Sequence, residues 1–314
     1  MKISILDAGT LGSDIDLSVF ERFGKVTVYQ STKADETASH IGDADIVIVN
    51  KVKINSEVLS HAKCLRLICI AATGFDNIDI SACKSAGVAV CNVVGYSTDS
   101  VAQITVASAM WLCCRYGLYV PFVQSGEYSV GNSANKVEPP FYEMRGKTWG
   151  IVGYGNIGKQ VAAVAKALGC HIIVNKRTPV DGVDCVDIDT LCETADIISF
   201  HTPLNDGTRE LINEARIAKM KPSAIVVNTA RGAVTDEKAL AAAVKNGKIA
   251  GLASDVYSIE PMPKTHPFYG IKDLPNVCLT PHMAWAAYEA RERCMSEIVL
   301  NIESYLSGGN RCRV

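Results

Sequence analysis

Short apolar runs alternate with amphipathic stretches along the whole chain, and this pattern predicts the order of its secondary structure. The runs ISIL, DIVIVN and LRLICIAATG come early, whereas TWGIVG, CHIIVN, ADIISFHTP and SAIVVNTARG come in the second half. Runs of β-forming residues between helical segments are typical of parallel sheets that helices cover on both faces. Two such series predict two doubly wound α/β domains, each with its own parallel sheet.

The last helical segment decides how the chain is divided between these domains. Residues 288–306 place Cys294, Ile298, Val299, Ile302 and Leu306 on one face, opposite charged residues. Such an amphipathic helix needs a sheet to cover, and the first sheet is the natural place for it. We therefore predict a discontinuous domain of residues 1–98 plus 284–314, with the second domain inserted at 99–283.

One segment, VAQITVASAMWLCCRYGLYV at residues 101–120, has about the length of a membrane span. It nevertheless contains Gln103, Thr105, Ser108 and Arg115, and its uncharged part ends at Cys114. A helix that is apolar nearly all round is a buried helix in a globular protein. We therefore expect a buried helix and no membrane span, with a subunit interface as one location for it.

Composition and charge narrow the class of protein further. The 314 residues are 48% hydrophobic and 20% charged with a formal net charge of −2, so we expect no nucleic-acid partner. The first residues, MKISILDAGT, have the pattern of a strand and not that of a signal peptide. The twelve cysteines include no C-x-x-C pair, so we expect reduced cysteines, no metal site and a cytoplasmic location.

The stretch GYGNIG, residues 153–158, is the strongest indication of a ligand. Gly153, Gly155 and Gly158 directly follow the predicted strand TWGIV and open a helix with an apolar stripe. In this context the glycines allow a tight turn, close approach of backbone N–H groups to a pyrophosphate, and close helix packing. The helix N-terminus favours the same anion. The second domain is thus predicted to be a Rossmann-like, dinucleotide-binding domain.

The end of the next predicted strand bears on which dinucleotide binds. Lys176, Arg177 and Thr178 stand where an acidic residue would accept hydrogen bonds from the ribose hydroxyls of NAD. Two cations and a hydroxyl favour instead the 2′-phosphate of NADP(H), at ~1.5–3 kcal/mol for each charge-assisted hydrogen bond. In the competing interpretation both cations are solvated ends of a strand, and NAD stays possible as the cofactor.

Several ordered blocks resemble one enzyme family along essentially the whole chain. They are AATGFDNIDI, GYSTDSVAQ, GYGNIG, NTARGAV, LASDVYSIEP and LTPHMAWA. Together they resemble the D-isomer specific 2-hydroxyacid dehydrogenases. The segments YSTDSVAQ and HMAWA most resemble the branch of glycerate dehydrogenases and hydroxypyruvate or glyoxylate reductases. The resemblance implies two Rossmann-like domains with an interdomain cleft.

The resemblance also implies a catalytic triad of Arg231, Glu260 and His282. Reduction of a 2-oxo acid needs a proton for the carbonyl oxygen, and His282 is the expected acid because imidazole titrates near neutrality. Glu260 would hold the ring in its orientation and favour the imidazolium. Arg231 offers a planar fork to the substrate carboxylate and carbonyl, which a lysine could not reproduce.

The same family resemblance implies further contacts with the cofactor. The segment HTP would form a wall of the cofactor site, and Asp255 would meet the nicotinamide carboxamide. The complete set of expected cofactor contacts is Gly153, Gly155, Asn156, Ile157, Gly158, Lys176, Arg177, Thr178, His201, Thr202, Pro203, Thr208, Thr229, Ala230 and Asp255.

The substrate is expected to meet the first domain as well. The backbone N–H groups of Thr73 and Gly74, in AATGFDNID, would form a small anion-binding nest that faces Arg231. The cleft would then hold a small hydroxy acid. Formate dehydrogenases share the fold, but they resemble this chain less because they carry Gln at the position of Glu260.

Three functions remain open. The leading one is an oxidoreductase that transfers hydride between NADP(H) and a small D-2-hydroxy or 2-oxo acid, with hydroxypyruvate or glyoxylate expected. The alternatives are an NAD-dependent glycerate dehydrogenase and a cofactor-sensing binding protein like the corepressors that resemble this family. The chain ends at SGGNRCRV without the extra segments of such corepressors, which favours the enzyme. A homodimer is expected from the resemblance and from the apolar helix, and residues 137–146 are a candidate contact with the partner.

Overall fold

The computed structural model describes residues 1–314 and divides into two compact units. The first unit comprises Met1–Ser97 and Ala286–Val314, and the second comprises Thr98–Trp285. The predicted junctions, at 98/99 and 283/284, lie one and two residues from these boundaries. What each unit binds stays a prediction at this stage.

The first unit contains a five-stranded parallel sheet with the strand order β2-β1-β3-β4-β5. The strands are β1 (Lys2–Ile5), β2 (Lys25–Val28), β3 (Ile46–Val49), β4 (Leu67–Ile70) and β5 (Ala89–Cys91). The helices are α1 (Thr37–Ile41), α2 (Ser56–His61), α3 (Ile80–Ser85) and α11 (Tyr288–Leu306), with 3₁₀ turns at Ala8–Thr10 and Ser18–Phe23. Strands β3 and β4 are buried along their whole length, which explains their unbroken apolar sequence.

The terminal helix α11 packs against β4 of this sheet. Its buried face includes Ala290, Cys294, Ile298 and Ile302, at the helical spacing that the sequence predicts, whereas Leu306 in the last turn is exposed. Beyond the helix, the backbone N–H of Val314 donates to the carbonyl of Val90 at 3.0 Å. The end of the chain therefore covers the free edge of β5.

The second unit contains a six-stranded parallel sheet with the order β11-β10-β9-β8-β6-β7. The strands are β6 (Thr148–Val152), β7 (His171–Asn175), β8 (Ile197–Phe200), β9 (Ile225–Asn228), β10 (Gly251–Ser254) and β11 (Val277–Leu279). The helices are α4 (Thr98–Cys113), α5 (Tyr116–Gln124), α6 (Glu127–Val130), α7 (Asn156–Ala167), α8 (Ile188–Thr194), α9 (Glu214–Lys219) and α10 (Glu237–Lys245), with 3₁₀ turns at Gly232–Val234 and Pro267–Ile271.

Two hydrophobic cores cover the two faces of the second sheet. One includes Trp149 and Val161 together with α4, and the other includes Phe200, Leu191 and Leu240 together with α8 and α10. The prediction of two doubly wound parallel α/β sheets is confirmed in both units. After β6 the chain builds β7 on one side and then β8 on the other, so the strand order reverses beside β6. Open α/β sheets bind ligands at the carboxyl ends of the strands at such a reversal.

The apolar segment 101–120 is two helices and not the single buried helix expected. Helix α4 ends at Cys113, and Arg115 has φ of +54°, a left-handed conformation that α-helices exclude. Helix α4 buries half of its residues, whereas α5 has none that is buried. No single helix is long and apolar enough to cross a membrane, and the pair α4 and α5, which passes that test together, is bent by 69°. Hydropathy predicted one continuous helix because the residues on both sides of the break are apolar.

Candidate active site

The glycine turn connects β6 to α7, and the fold itself requires two of its three glycines. Gly153 has φ of +94°, and a Cβ atom there would lie 2.5 Å from the carbonyl oxygen of His201. A Cβ atom on Gly158 would overlap the carbonyl oxygen of Gly153. These two positions allow the strand, the turn and the helix to approach one another.

Gly155 differs, because apart from its two chain neighbours no residue comes within 4 Å of the position that its Cβ would take. It caps the N-terminus of α7 with φ of −86° and ψ of −158°, which other residues can adopt. Asn156 and Ile157 follow in the first helical turn, where backbone N–H groups lack helical acceptors. The open space and these donors fit the pyrophosphate of a dinucleotide.

The predicted phosphate-binding cations follow β7, next to the glycine turn. The backbone N–H of Gly153 donates to the carbonyl of Asn175 at 2.9 Å, which joins the turn to the end of β7. Lys176, Arg177 and Thr178 come next, and all three are exposed. Their side chains form no hydrogen bond or ion pair within the protein, so they are free to meet a ligand.

His201 follows β8 and is held to the end of β6, since its backbone N–H donates to the carbonyl of Val152 at 2.7 Å. Its Nε2 lies 2.9 Å from the hydroxyl of Ser199, which also accepts a hydrogen bond from the Trp149 indole at 2.9 Å. Burial lowers the pKa of His201 to about 3, so the ring is neutral at physiological pH. Its Nδ1 is buried and has no hydrogen-bond partner.

The segment after His201 is a closed turn. The Thr208 hydroxyl donates to the carbonyl of Pro203 at 2.7 Å and accepts the backbone N–H of Asn205 at 2.8 Å. Thr202 is half-buried and Pro203 is exposed. The structure therefore gives Thr208 a role in shaping this turn, and its contact with a cofactor stays a prediction.

Arg231 follows β9, and a buried amide fixes its backbone. The side chain of Asn228 accepts the N–H of Ala230 at 3.0 Å and donates to the carbonyl of Arg231 at 2.9 Å. Thr229 is pinned to helix α4 by a contact of 2.8 Å between its hydroxyl and that of Thr105. The guanidinium Nη1 of Arg231 donates to the carbonyl of Ala230 at 2.8 Å.

The turn after Arg231 lies directly against the segment that leads to Glu260. A Cβ atom on Gly232 would overlap the carbonyl carbon of Tyr257 and the backbone nitrogen of Ser258. Only glycine allows this approach of two backbones.

The structure brings Glu260 and His282 together, with Glu260 Oε2 2.6 Å from His282 Nδ1. The other carboxylate oxygen, Oε1, accepts the backbone N–H of Tyr257 at 2.9 Å. Both side chains are partly exposed, at 33% and 25% of their surface. With Nδ1 held by the carboxylate, Nε2 is the ring atom that remains to exchange a proton with a ligand.

His282 stands in a strained turn that Asp255 stabilises. The φ of His282 is +53°, a region that non-glycine residues rarely adopt. The buried carboxylate of Asp255 accepts the Thr280 hydroxyl at 2.6 Å and the backbone N–H groups of Met283 and Ala284 at 2.9 and 2.8 Å. The Trp285 indole donates to the carbonyl of His282 at 2.9 Å. Asp255 therefore holds the histidine turn, and its contact with a carboxamide stays a prediction.

Thr73 and Gly74 belong to the first unit, where they follow β4. The Thr73 hydroxyl donates to the carbonyl of Val93 at 2.7 Å, and the Asn92 side chain donates to the carbonyl of Thr73 at 2.7 Å. The backbone N–H groups of Thr73 and Gly74 donate to no protein acceptor. The turn is thus fixed, while its expected approach to Arg231 stays a prediction.

Sequence reasoning missed the residues that support the site. Asn228, Thr105, Ser199 and Tyr257 contact predicted site residues or hold their backbone. Asn228 could have been found, because it is a polar residue that closes an apolar strand directly before Thr229. The others carry no local signal.

Comparison with known proteins places these features in context. Residues 106–284 match the sequence model of the D-isomer specific 2-hydroxyacid dehydrogenase, NAD binding domain. The chain is 35% identical to a hydroxypyruvate reductase of Blautia hydrogenotrophica, over 98% of both chains. It is also 35% identical to a glycerate dehydrogenase of Methylorubrum extorquens, over 98% of this chain and 96% of that one. The fold matches an acyclic imino acid reductase in complex with NADPH and D-Arg at a TM-score of 0.87, with 31% identity over 100% of both chains.

The different surroundings of the three glycines lead to a test of the dinucleotide turn. Gly155→Ala adds a methyl group in open space, so we expect an unchanged thermal midpoint and a dissociation constant for the dinucleotide that rises about tenfold, or ~1.4 kcal/mol. Gly158→Ala creates an overlap with Gly153 and is expected to destabilise the fold by ~1–3 kcal/mol. Calorimetric unfolding measures the thermal midpoint, and titration with NADPH measures the dissociation constant. Unchanged affinity in Gly155→Ala would contradict the assignment of the pyrophosphate to this turn.

Proposed function

The chain belongs to the D-isomer specific 2-hydroxyacid dehydrogenase family, and from this premise we propose that it reduces hydroxypyruvate or glyoxylate with NADPH. Its class of reaction is hydride transfer between a nicotinamide cofactor and a 2-oxo or 2-hydroxy acid. The observation that carries the proposal is the contact of 2.6 Å between Glu260 and His282 beside a dinucleotide-binding sheet. The named activities of the relatives support these two oxo acids as substrates.

His282 is the proton donor in this proposal. The Glu260 carboxylate accepts the Nδ1 proton, which fixes the orientation of the ring and directs Nε2 toward the substrate. In reduction, Nε2 gives its proton to the carbonyl oxygen of the oxo acid, and in oxidation it takes that proton back. A bound nicotinamide cofactor supplies the hydride for the carbonyl carbon.

Arg231 binds the substrate carboxylate and polarises its carbonyl group. A guanidinium presents parallel N–H donors that match a carboxylate. Asn228 fixes the backbone of Arg231, and the bond from Nη1 to the carbonyl of Ala230 holds the guanidinium. The backbone N–H groups of Thr73 and Gly74 are the second set of donors that we assign to the carboxylate. A small acid with adjacent carboxylate and carbonyl groups suits these donors.

His282→Asn removes the proton donor, so we expect kcat/KM for hydroxypyruvate and glyoxylate to fall ~10²–10⁴-fold. The dissociation constant for NADPH should stay the same, because the imidazole acts on the oxo acid. Steady-state kinetics and fluorescence titration measure the two effects. His171→Asn is the matched control, since His171 is exposed at the start of β7. Equal activity of His282→Asn and His171→Asn would refute the assigned role.

The preference for NADPH is the finer part of the proposal. Lys176, Arg177 and Thr178 are exposed, lack partners in the protein and follow the strand beside the glycine turn. Each charge-assisted hydrogen bond to a 2′-phosphate contributes ~1.5–3 kcal/mol, which is about one to two decades of affinity. The likeness to a reductase solved with NADPH supports the same choice. The ribose of NAD offers these cations no negative charge.

The double variant Lys176→Asp with Arg177→Ala tests this preference. We expect kcat/KM with NADPH to fall about tenfold or more while kcat/KM with NADH stays level or rises, since each lost bond to phosphate removes ~1.4 kcal/mol or more. Lys166→Asp with Lys245→Ala, at exposed positions of α7 and α10, is the control, because it also lowers the net charge by three. A wild-type enzyme that uses NADH equally well would identify an NAD-dependent dehydrogenase, and tight cofactor binding without turnover would identify a sensor.

A homodimer is the proposal for partners, with the apolar surface of residues 116–142 as the interface. The Tyr119 ring packs edge-on against Phe141 at 6.4 Å, so α5 and residues 137–142 form one surface. Its exposed apolar side chains are Tyr116, Val120, Val123, Tyr128, Val130, Val137, Phe141 and Tyr142. Exposed apolar surface of this extent is typical of protein interfaces. Localisation in the cytoplasm stays a prediction from the cysteine pattern.

Light scattering should give the wild-type protein a mass of twice the 33.7 kDa of the chain. The double variant Val120→Glu with Val123→Glu places two charges in the apolar surface and is expected to yield the monomer mass. Val28→Glu, at an exposed valine of the first unit, is the control and should remain dimeric. A monomeric wild-type protein at micromolar concentration would contradict the proposal.

A further inference from the structure

Glu237 is a buried carboxylate that the reaction scheme above does not use. It is the first residue of α10 and only 7% exposed. Its Oε1 accepts the backbone N–H of Ser258 at 2.9 Å, and its Oε2 accepts the Ser258 hydroxyl and the Nε2–H of His266, the latter at 2.9 Å. A buried carboxylate is stable only when hydrogen bonds replace its hydration, and these three donors do so.

The hydrogen bonds of His266 define its tautomer. Its Nδ1 accepts the backbone N–H of Phe268 at 3.2 Å, so the ring proton resides on Nε2 and is donated to Glu237. The rings of Tyr257 and Phe268 contact this imidazole edge-on at 5.7 and 5.2 Å. His266 is therefore a fixed donor inside a packed aromatic cluster.

A capping role for helix α10 does not explain Glu237. The side chain of Asp236 already caps this helix by accepting the N–H of Ala239 at 2.9 Å. The Glu237 carboxylate bonds instead to Ser258 and His266, which belong to other segments of the chain. Its contacts therefore serve the segment that follows β10.

That segment carries Glu260. Next to Ser258, the backbone N–H of Tyr257 donates to Glu260 Oε1 at 2.9 Å, and Glu260 Oε2 lies 2.6 Å from His282. On its other side the same segment contacts Gly232, which follows Arg231. The hydrogen bonds of Glu237 thus end on the backbone that sets the place of Glu260.

We propose that Glu237 is a positioning residue, which fixes residues 257–260 through Ser258 and His266 so that Glu260 meets His282. The inference rests on the proposed function, and it gives Glu237 no contact with substrate or cofactor. Loss of its hydrogen bonds moves Glu260 away from the imidazole while Arg231 still binds the oxo acid. Loss of Glu237 should therefore lower kcat and leave the KM for the oxo acid nearly unchanged.

Glu237→Gln is the first test, because it keeps the shape and replaces one acceptor oxygen by an NH2 group. In one orientation of the amide that group faces the N–H of His266, and in the other it faces the backbone N–H of Ser258. Two donors meet in either case, so the segment shifts. We expect kcat for hydroxypyruvate to fall about tenfold or more. A substitution far from the reacting atoms that misplaces a catalytic group by about 1 Å can lower the rate ~10²-fold. The KM for hydroxypyruvate and the dissociation constant for NADPH should change by about twofold or less. Ser258→Ala is the milder variant, and it should lower kcat about threefold while it keeps the fold.

A double-mutant cycle separates positioning from a general loss of stability. If Glu237 acts through Glu260, Glu237→Gln lowers kcat in the wild-type protein and has no further effect in the Glu260→Gln background. An equal factor in both backgrounds would overturn the proposal. Val244→Ala, a buried position of the same helix, is the control that should lower the thermal midpoint and leave kcat unchanged.

The outcomes distinguish this inference from the proposed function. Wild-type kcat in both Glu237→Gln and Ser258→Ala, together with a loss of kcat in Glu260→Gln, would overturn the role of Glu237 alone. Absence of turnover in the wild-type protein, or full activity of His282→Asn, would overturn the proposed function itself.

Discussion

The turn that presents His282 depends on one buried carboxylate at the end of β10. Asp255 is 2% exposed and accepts hydrogen bonds from the Thr280 hydroxyl and from the backbone of Met283 and Ala284. Without it, three donors would lose their acceptor at ~1–3 kcal/mol for each that stays buried. This stabilisation allows His282 to keep a φ of +53°. Asp255 thus holds His282, the proposed proton donor, in a backbone conformation that is otherwise unfavourable.

A similar support occurs at each member of the proposed triad. The Asn228 amide holds the backbone of Arg231, Asp255 holds the turn of His282, and Glu237 holds the segment of Glu260. Each supporting side chain belongs to the end of a strand or the start of a helix. Loops are mobile by nature, so loops that must place reacting groups to within ~0.5 Å need such ties to rigid elements.

The fold and the glycine turn were predictable because their signals are local. Unbroken apolar runs report buried parallel strands, and Gly153, Gly155 and Gly158 stand beside a strand and a helix. The break between α4 and α5 escaped because Arg115 adopts a left-handed conformation inside a stretch that is apolar on both sides. The supporting contacts could not be predicted for another reason. The hydroxyl of Thr105 contacts that of Thr229, which is 124 residues away in the sequence, and no periodicity carries information over that separation. The proximity of Glu260 and His282 came from family resemblance alone.

A contact of Asp255 with the cofactor would connect the two halves of the proposed reaction. A carboxylate has about four acceptor positions, and protein donors occupy three of those on Asp255. Oδ2 receives only the N–H of Ala284, so it retains the capacity to accept the carboxamide N–H that the family resemblance assigns to it. If it does, one carboxylate positions the proton donor and the nicotinamide together, and movement of either would displace the other. A buried carboxylate that protein hydrogen bonds already hold in place suits this task, because it loses no further conformational freedom when the cofactor binds.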